Sequence, residues 1–413
     1  MLPGGNATEW KKKSPLFVVF TTVLLDLVGF GIVIPLVAIY GKHYGASGFQ
    51  LGLLGAIYSL MQFVFAPIWG SLSDRWGRRP ILLLSLAGST ISYFAFALAP
   101  SFFWLFASRA FAGMFAANIS AAQAYIADVT THEDRAKGMG LLGAAFGIGF
   151  TLGPPLGGIA SAHWGLAAPG LIAGGITGLN LLVAYFRLPE SLPFELRRTK
   201  TVLADFSPIH WTAIHQALRH PVLWLLLLIY FLVTFAFSNI EQTFSLLFQS
   251  RFELPTSEAV LRTGFIFMTS GLLSATIQGG LLRRLVPRFG EWTLLKTGVT
   301  LNVIAFALLP FYPSYGWYFL GIIPMTVGAA LVNPSLASLI SKNSAGNEQG
   351  RMLGLSQGLG SLARAIGPFL GLLAFEWNPV APFAIAAGVS VAILAFYQLA
   401  KVPTAPRTRS HGT

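Results

Sequence analysis

The sequence predicts an all-α membrane protein of twelve transmembrane helices, arranged as two pseudo-symmetric six-helix bundles with both termini in the cytoplasm. Three observations carry this. The 413-residue chain is 54% hydrophobic and only 10% charged, with a mean hydropathy of +0.66, whereas an ordinary soluble domain carries about 25% charged residues. Twelve apolar runs have the roughly 20 residues that a bilayer crossing needs. The basic residues are also one-sided. Of the 27, three lie on loops assigned outside (Lys42, Arg251, Arg262), two lie within spans (Arg109, Arg364), and the rest fall in segments assigned to the cytoplasm. Basic loops stay on the untranslocated side.

The expected spans are 15–40, 50–71, 80–99, 102–126, 137–160, 167–187, 221–248, 260–282, 292–311, 315–340, 350–374 and 379–400. They divide the chain into a cytoplasmic start (1–14), a first bundle (15–188), a central loop (189–220), a second bundle (221–400) and a cytoplasmic tail (401–413). Lys11-Lys12-Lys13 precedes an apolar run that contains Asp26 and lacks a small-residue cleavage site, so the run is expected to stay as the first span. Within the central loop, Val202 to Leu218 mixes apolar residues with His210 and His215 and reads as a surface helix along the membrane. The two histidines are read as solvated, and no metal is expected.

The halves repeat each other. Gly153-Pro154 in the fifth span and Gly367-Pro368 in the eleventh lie 214 positions apart, as do Gly140 and Gly354, and Gly157 and Gly371. A duplicated six-helix unit is common in secondary transporters. The net charge of +12 resides in short loops, so it signals orientation and not nucleic-acid binding. The chain has no cysteine, which excludes disulfides and thiol chemistry. No nucleophile–base pair, metal-ligand cluster or phosphate loop stands out, so neither an enzyme nor a cofactor is expected. Nothing resembles the filter ring of a channel.

Between the second and third spans runs Gly70-Ser71-Leu72-Ser73-Asp74-Arg75-Trp76-Gly77-Arg78-Arg79. It reads as a short, turn-rich, charged connection whose glycines relieve the backbone. This pattern resembles the loop between helices 2 and 3 of the major facilitator superfamily. The resemblance implies a gating role for Gly70, Asp74, Arg75, Gly77 and Arg78. Asp74 would pair with a nearby arginine and face the start of the eleventh span near Gly350, contacts that would exist only when the inner ends are closed. Asp128, near Glu133-Asp134-Arg135, is expected in the same network.

In the fifth span, Gly149, Gly153, Pro154 and Gly157 resemble the antiporter pattern of that superfamily. Glycines four apart let a neighbouring helix approach closely, and Pro154 removes one backbone hydrogen bond. Asp26 and Arg109 sit inside spans, where a charge costs roughly 3 kcal/mol and usually has a function. Their surroundings, Leu25-Asp26-Leu27-Val28-Gly29 and Arg109-Ala110-Phe111-Ala112-Gly113, resemble those of drug–proton antiporters. Burial disfavours a carboxylate and a guanidinium favours it, so Asp26 is expected to carry the proton and Arg109 to modulate it.

Glu241, Gln242 and Arg364 in the second half, with Gln62, Asn118 and Gln357, are the candidate substrate contacts. Most of the first half, including Tyr125-Ile126-Ala127-Asp128, is similar to the tetracycline-efflux branch. That branch carries an acidic residue where Ser92 stands here, and the ninth span has none. The resemblance therefore implies a proton-coupled exporter of small amphipathic organic compounds other than tetracycline, expected as a monomer in the plasma (inner) membrane with lipid, protons and substrate as its partners. A metabolite importer or symporter is the runner-up, and a non-transporting receptor the distant alternative.

Overall fold

The computed structural model describes residues 7–116, 118–130, 135–197, 211–344 and 349–399. Residues 1–6, 401–413, His210 and Glu133-Asp134 lie outside that set. All regular structure among the described residues is helical.

The first span combines α1 (Ala7–Val33), a 3-10 turn at Ile34–Leu36 and α2 (Val37–His43). Pro35 lies in that turn, where its missing N–H interrupts the helix. The next spans are α3 (Gly48–Trp76) and α4 (Arg78–Ala97), followed by a fourth span split into α5 (Phe102–Met114) and α6 (Asn118–Val129). Helices α7 (Arg135–Trp164) and α8 (Ala167–Arg187) close the first half. The second half holds α10 (Pro221–Arg251), then α11 (Thr256–Thr276) running through a π-helical turn at Ile277–Leu281 into α12 (Leu282–Phe289). It continues with α13 (Glu291–Leu308), α14 (Tyr315–Lys342), α15 (Gln349–Trp377) and α16 (Ala381–Leu399). Eleven spans among the described residues are long and apolar enough to cross a membrane. Helix α7, with 30 residues, lies along α1 and makes the twelfth. Between the halves, α9 (Trp211–Arg219) packs Ile214 and Ala217 onto the second bundle and exposes His215.

Two expectations change. The connection at Gly70–Arg79 is not a turn-rich loop. Helix α3 continues through Asp74 to Trp76, and α4 begins at Arg78. Gly77 alone makes the break, at φ 104°, a conformation that a residue with a β-carbon rarely adopts. Gly70 is helical with open space around it, so it relieves nothing. The fourth span, expected as one helix, is interrupted after Met114.

Glycine contacts show how the halves pack. A β-carbon at Gly153 would stand 2.6 Å from Gly31 Cα, and one at Gly157 would strike Ile32 O, so α7 lies backbone to backbone on α1. The second half repeats this contact. A β-carbon at Gly367 would stand 2.8 Å from Phe235 O, and one at Gly371 would be 3.0 Å from Asn239 O, so α15 lies on α10 in the same way. The duplication seen as a 214-residue offset is therefore a repeated packing device.

The same two helices bridge the halves. A β-carbon on Gly264 of α11 would stand 2.7 Å from Pro154 O, and one on Gly55 of α3 would stand 2.9 Å from Pro368 Cβ. These contacts are tight at one end of the molecule. There a β-carbon on Gly158 would stand 2.7 Å from Leu261 Cα, and one on Gly48 would stand 2.7 Å from Glu376 Cδ. Toward the Asp74 end they loosen: Gly147 is 3.9 Å from Ala275 Cβ, Gly358 is 3.8 Å from Phe63, and Gly354 has no neighbour within 4 Å. The cores agree. The core containing Ile32, Leu36 and Leu54 takes in Leu246, Val260 and Leu372 from the second half. At the other end, the core of Val23, Leu82 and Tyr125 belongs to the first half alone, and that of Leu226, Val299 and Leu336 to the second. The molecule is closed at the Gly48 end and parted at the Asp74 end.

Alanine substitution separates glycines that are packing surfaces from those that are not. Gly157→Ala forces a β-carbon onto Ile32 O and is expected to lower stability by about 1–3 kcal/mol. Gly354→Ala enters open space and gains helix propensity of up to about 1 kcal/mol. Thermal melting in detergent checks this; equal melting temperatures for the two variants would contradict the packing.

Candidate functional site

The break in the fourth span frees backbone carbonyls inside the first bundle, where a membrane-embedded acceptor must find a donor in the protein. Side chains from two neighbouring helices supply them. Trp69 Nε1 donates to Met114 O, Ser85 Oγ to Phe115 O, and Gln62 Nε2 to Ala116 O at 3.3 Å. Gly113 allows α3 to approach the break, since a β-carbon there would stand 2.9 Å from the Tyr58 carbonyl carbon.

A small cavity opens beside this break, lined by Asp26, Tyr58, Gln62, Ser89, Tyr93 and Asn118 among others. Asp26 Oδ1 is buried and accepts no hydrogen bond, and both polar atoms of the Asn118 side chain are buried without partners. Arg109 is 5% exposed. Its guanidinium lies over the Tyr58 ring, 4.7 Å from the centroid, a cation–π arrangement. No ion pair joins Arg109 to Asp26 among the described residues. Tyr58 lines the cavity together with Asp26 and carries Arg109 on its ring. Asp26, Gln62 and Asn118 are thus brought together in one cavity, with Arg109 beside it.

The second half presents a polar face of α10. Gln242 Nε2 reaches Gly55 O of the first half at 3.5 Å, while Gln242 Oε1 is buried without a partner. Glu241 and Arg364 are half-buried and feel each other's charge without forming an ion pair. Gln357 is exposed, and no contact ties it to the cavity. Ser92 is not among the cavity's lining residues; its hydroxyl donates to Gly88 O of its own helix at 2.6 Å.

At the parted end, Arg78 Nη1 donates to Asp74 Oδ1 at 2.6 Å and Arg78 Nε to Asp128 Oδ2 at 3.0 Å. Ser191 Oγ also donates to Asp128 Oδ2, at 3.0 Å. Arg75 is exposed. These bonds lie wholly within the first half and are formed with the halves apart, so they do not require closure of that end. The expected contact of Asp74 with the start of α15 near Gly350 falls where side chains lie outside the described residues.

Sequence reasoning missed Glu190. Its Oε1 accepts from the backbone N–H groups of Arg78 at 2.8 Å and Ser191 at 3.0 Å. The carboxylate thereby caps the amino end of α4, and Gly77 leaves room for it. The second-half counterpart was missed as well. Gly290, at φ 75°, precedes Glu291 as Gly77 precedes Arg78. Glu291 pairs with Lys342 at the end of α14, where the first half has Asp128 at the end of α6. The clamp is repeated with its charges exchanged. The offset of 213–214 residues was the signal that could have found it. Tyr58 was also legible, four residues before Gln62 and so on the same helix face.

Residues 19–368 match the Major Facilitator Superfamily. The chain is 33% identical to the class C tetracycline resistance protein of Escherichia coli, over 90% of this chain and 93% of that protein. It is 32% identical to human major facilitator superfamily domain-containing protein 10, covering 93% and 92%. The crystal structure of the human organic anion transporter MFSD10 superposes with a TM-score of 0.71, at 30% identity, over 94% of this chain and 99% of that one. A twelve-helix fold, with these relatives across nearly its whole length, places the chain in the Major Facilitator Superfamily as a multi-pass membrane transporter.

Proposed function

We propose that the protein exports small amphipathic organic compounds by exchanging them for protons, its two bundles rocking about the cleft. The observation that carries this is Asp26, a carboxylate with a buried, unpartnered oxygen on a polar cavity beside Arg109. A carboxylate held away from water takes a proton unless a cation stands by. Arg109 is held by the face of Tyr58 and not by Asp26, so Asp26 is left to bind and release a proton as the neighbouring helices shift. Tyr58, on α3, lines the same cavity as Asp26 and carries Arg109 on its ring, so a movement of α3 bears on both groups.

The tetracycline and multidrug resistance relatives support export, and the likeness to a human organic anion transporter supports an amphipathic organic cargo. With the basic segments on the cytoplasmic side of a plasma (inner) membrane, both termini are cytoplasmic and the parted Asp74 end faces inward. Asp74, Arg78 and Asp128, with Gly77 at the break, then brace the inner end of the first half, while Gly70 and Arg75 stand free of that network. Gly149, Gly153, Pro154 and Gly157 form the face on which α7 moves against α1. Gln62, Asn118, Glu241, Gln242, Arg364 and Gln357 line the route of the substrate, and the unit acts as a monomer.

Two experiments test this reading. In proteoliposomes, Asp26→Asn is expected to abolish substrate-driven proton movement while leaving helicity and melting temperature unchanged; normal proton movement in the variant would remove Asp26 from the mechanism. A cysteine pair at Gly147 and Ala275, whose β-carbons would be 3.9 Å apart, falls within the span of about 3.5–4.5 Å that a disulfide needs, in a chain with no cysteine of its own. Oxidation is expected to lock the halves in the present arrangement and stop transport, with recovery on reduction. Full transport by the cross-linked protein would exclude rocking at this interface.

A further inference from the structure

Arg364 is a charge in the middle of a membrane span that the proton site does not use. It lies on α15, half-buried. Its Nη2 donates to Ser361 Oγ at 3.0 Å, one turn earlier on the same helix. Among the described residues no carboxylate oxygen lies within 4.0 Å of the guanidinium. Glu241 acts on it only through space. A guanidinium has five donors, and an uncompensated charge at membrane depth is expensive.

The surroundings of Arg364 are aromatic and come from both halves. A β-carbon on Gly360 would be 2.9 Å from the Tyr230 ring and 3.3 Å from Arg364 Nη1. That glycine therefore lets the Tyr230 ring and the guanidinium lie close together against α15. Tyr58 of α3 lies within electrostatic reach from across the cleft. One turn toward the parted end, Phe63 is 3.8 Å from the β-carbon position of Gly358, and Gly354 is open. The other cation of the cleft, Arg109, is buried against Tyr58 and unavailable to a ligand.

We propose that Arg364 is the anion-binding residue of the cleft, holding the carboxylate of an aromatic organic acid whose ring lies among Tyr58, Phe63 and Tyr230. The planar guanidinium fork matches a carboxylate in two parallel hydrogen bonds. Gly354 and Gly358, four residues apart on one face of α15, leave that face bare toward the parted end. Glu241 repels the same carboxylate and weakens its hold. This site rests on reading the cleft as the transport path, and it adds the class of cargo to that reading.

The test is equilibrium binding to the purified full-length protein in detergent, by calorimetry, with naphthoate and its neutral analogue naphthamide as probes. Binding is measured without a proton gradient, so a failure of proton coupling leaves the result intact. The wild-type protein is expected to prefer naphthoate by about ten- to a hundredfold, the range of charge-assisted hydrogen bonds. Arg364→Gln is expected to erase the preference without changing naphthamide affinity, and Glu241→Gln to strengthen naphthoate binding. Arg364→Lys, which keeps the charge and loses the fork, is expected to fall between and serves as the test should Arg364→Gln not fold. No preference in the wild type, or a preference that survives Arg364→Gln or is unchanged in Arg364→Lys, overturns the site. Proton exchange with a neutral or cationic cargo and no naphthoate preference would overturn this site alone and leave the exporter reading standing.

Discussion

The contact of bare helix backbone with bare helix backbone is the constraint on which the rest depends. Lipid offers no hydrophobic force to hold helices together, so close approach at small residues supplies the attraction. Gly153 and Gly157 bring α7 onto α1, and Gly367 and Gly371 bring α15 onto α10. Because α7 also meets α11, and α15 also meets α3, each of these helices is shared between its own half and the other. A shift of α7 along its glycine face therefore moves against α1, where Asp26 resides, and alters the seam between bundles in the same step. The helix that packs against the Asp26 span is thus also part of the seam between the bundles.

The electrostatics of the two halves differ although their geometry repeats. A helix places partial positive charge at its amino end and partial negative charge at its carboxyl end. In the second half, Glu291 begins α13 and Lys342 ends α14, so each charge suits its terminus. In the first half, Arg78 begins α4 and Asp128 stands one residue before the end of α6, so each opposes it. Asp74, Asp128 and Glu190 offset that opposition by surrounding Arg78 or capping its helix. The first-half clamp holds through several carboxylates acting together. The second-half clamp stands on one ion pair, with Ser338 as a neutral helper.

Much of this was legible in the sequence. Hydropathy and loop charge place the spans because a bilayer punishes every misplaced polar group. The repeat is visible because glycines required for packing keep their spacing. Asp26 stands out because a lone acid in an apolar run is costly. What was not legible depends on three-dimensional satisfaction of backbone groups. The interruption after Met114 has no proline to announce it, and it is tolerated because Gln62, Trp69 and Ser85, all distant in sequence, accept the role of donors. Glu190 lies outside any span and gives no sign that its carboxylate closes a helix end. The ten-residue charged stretch suggested a loop, yet only Gly77 of it leaves helical geometry, and Asp74, Ser73 and Arg78 satisfy one another across the break.

The exchanged clamp has an evolutionary consequence. If the halves descend from one ancestral unit, the pair at the ends of its third and fourth helices has reversed sign in one copy, and single substitutions pass through an arrangement with two like charges face to face. Such an intermediate is tolerable only where water screens it. The Lys342 side chain is 62% accessible, while that of Arg78 is 11% accessible. The counterpart of Arg78, Glu291, is nearly as shielded at 16%, and that of Lys342, Asp128, is 22% accessible, so a change of sign is borne more easily at the Lys342 and Asp128 positions than at Arg78 and Glu291.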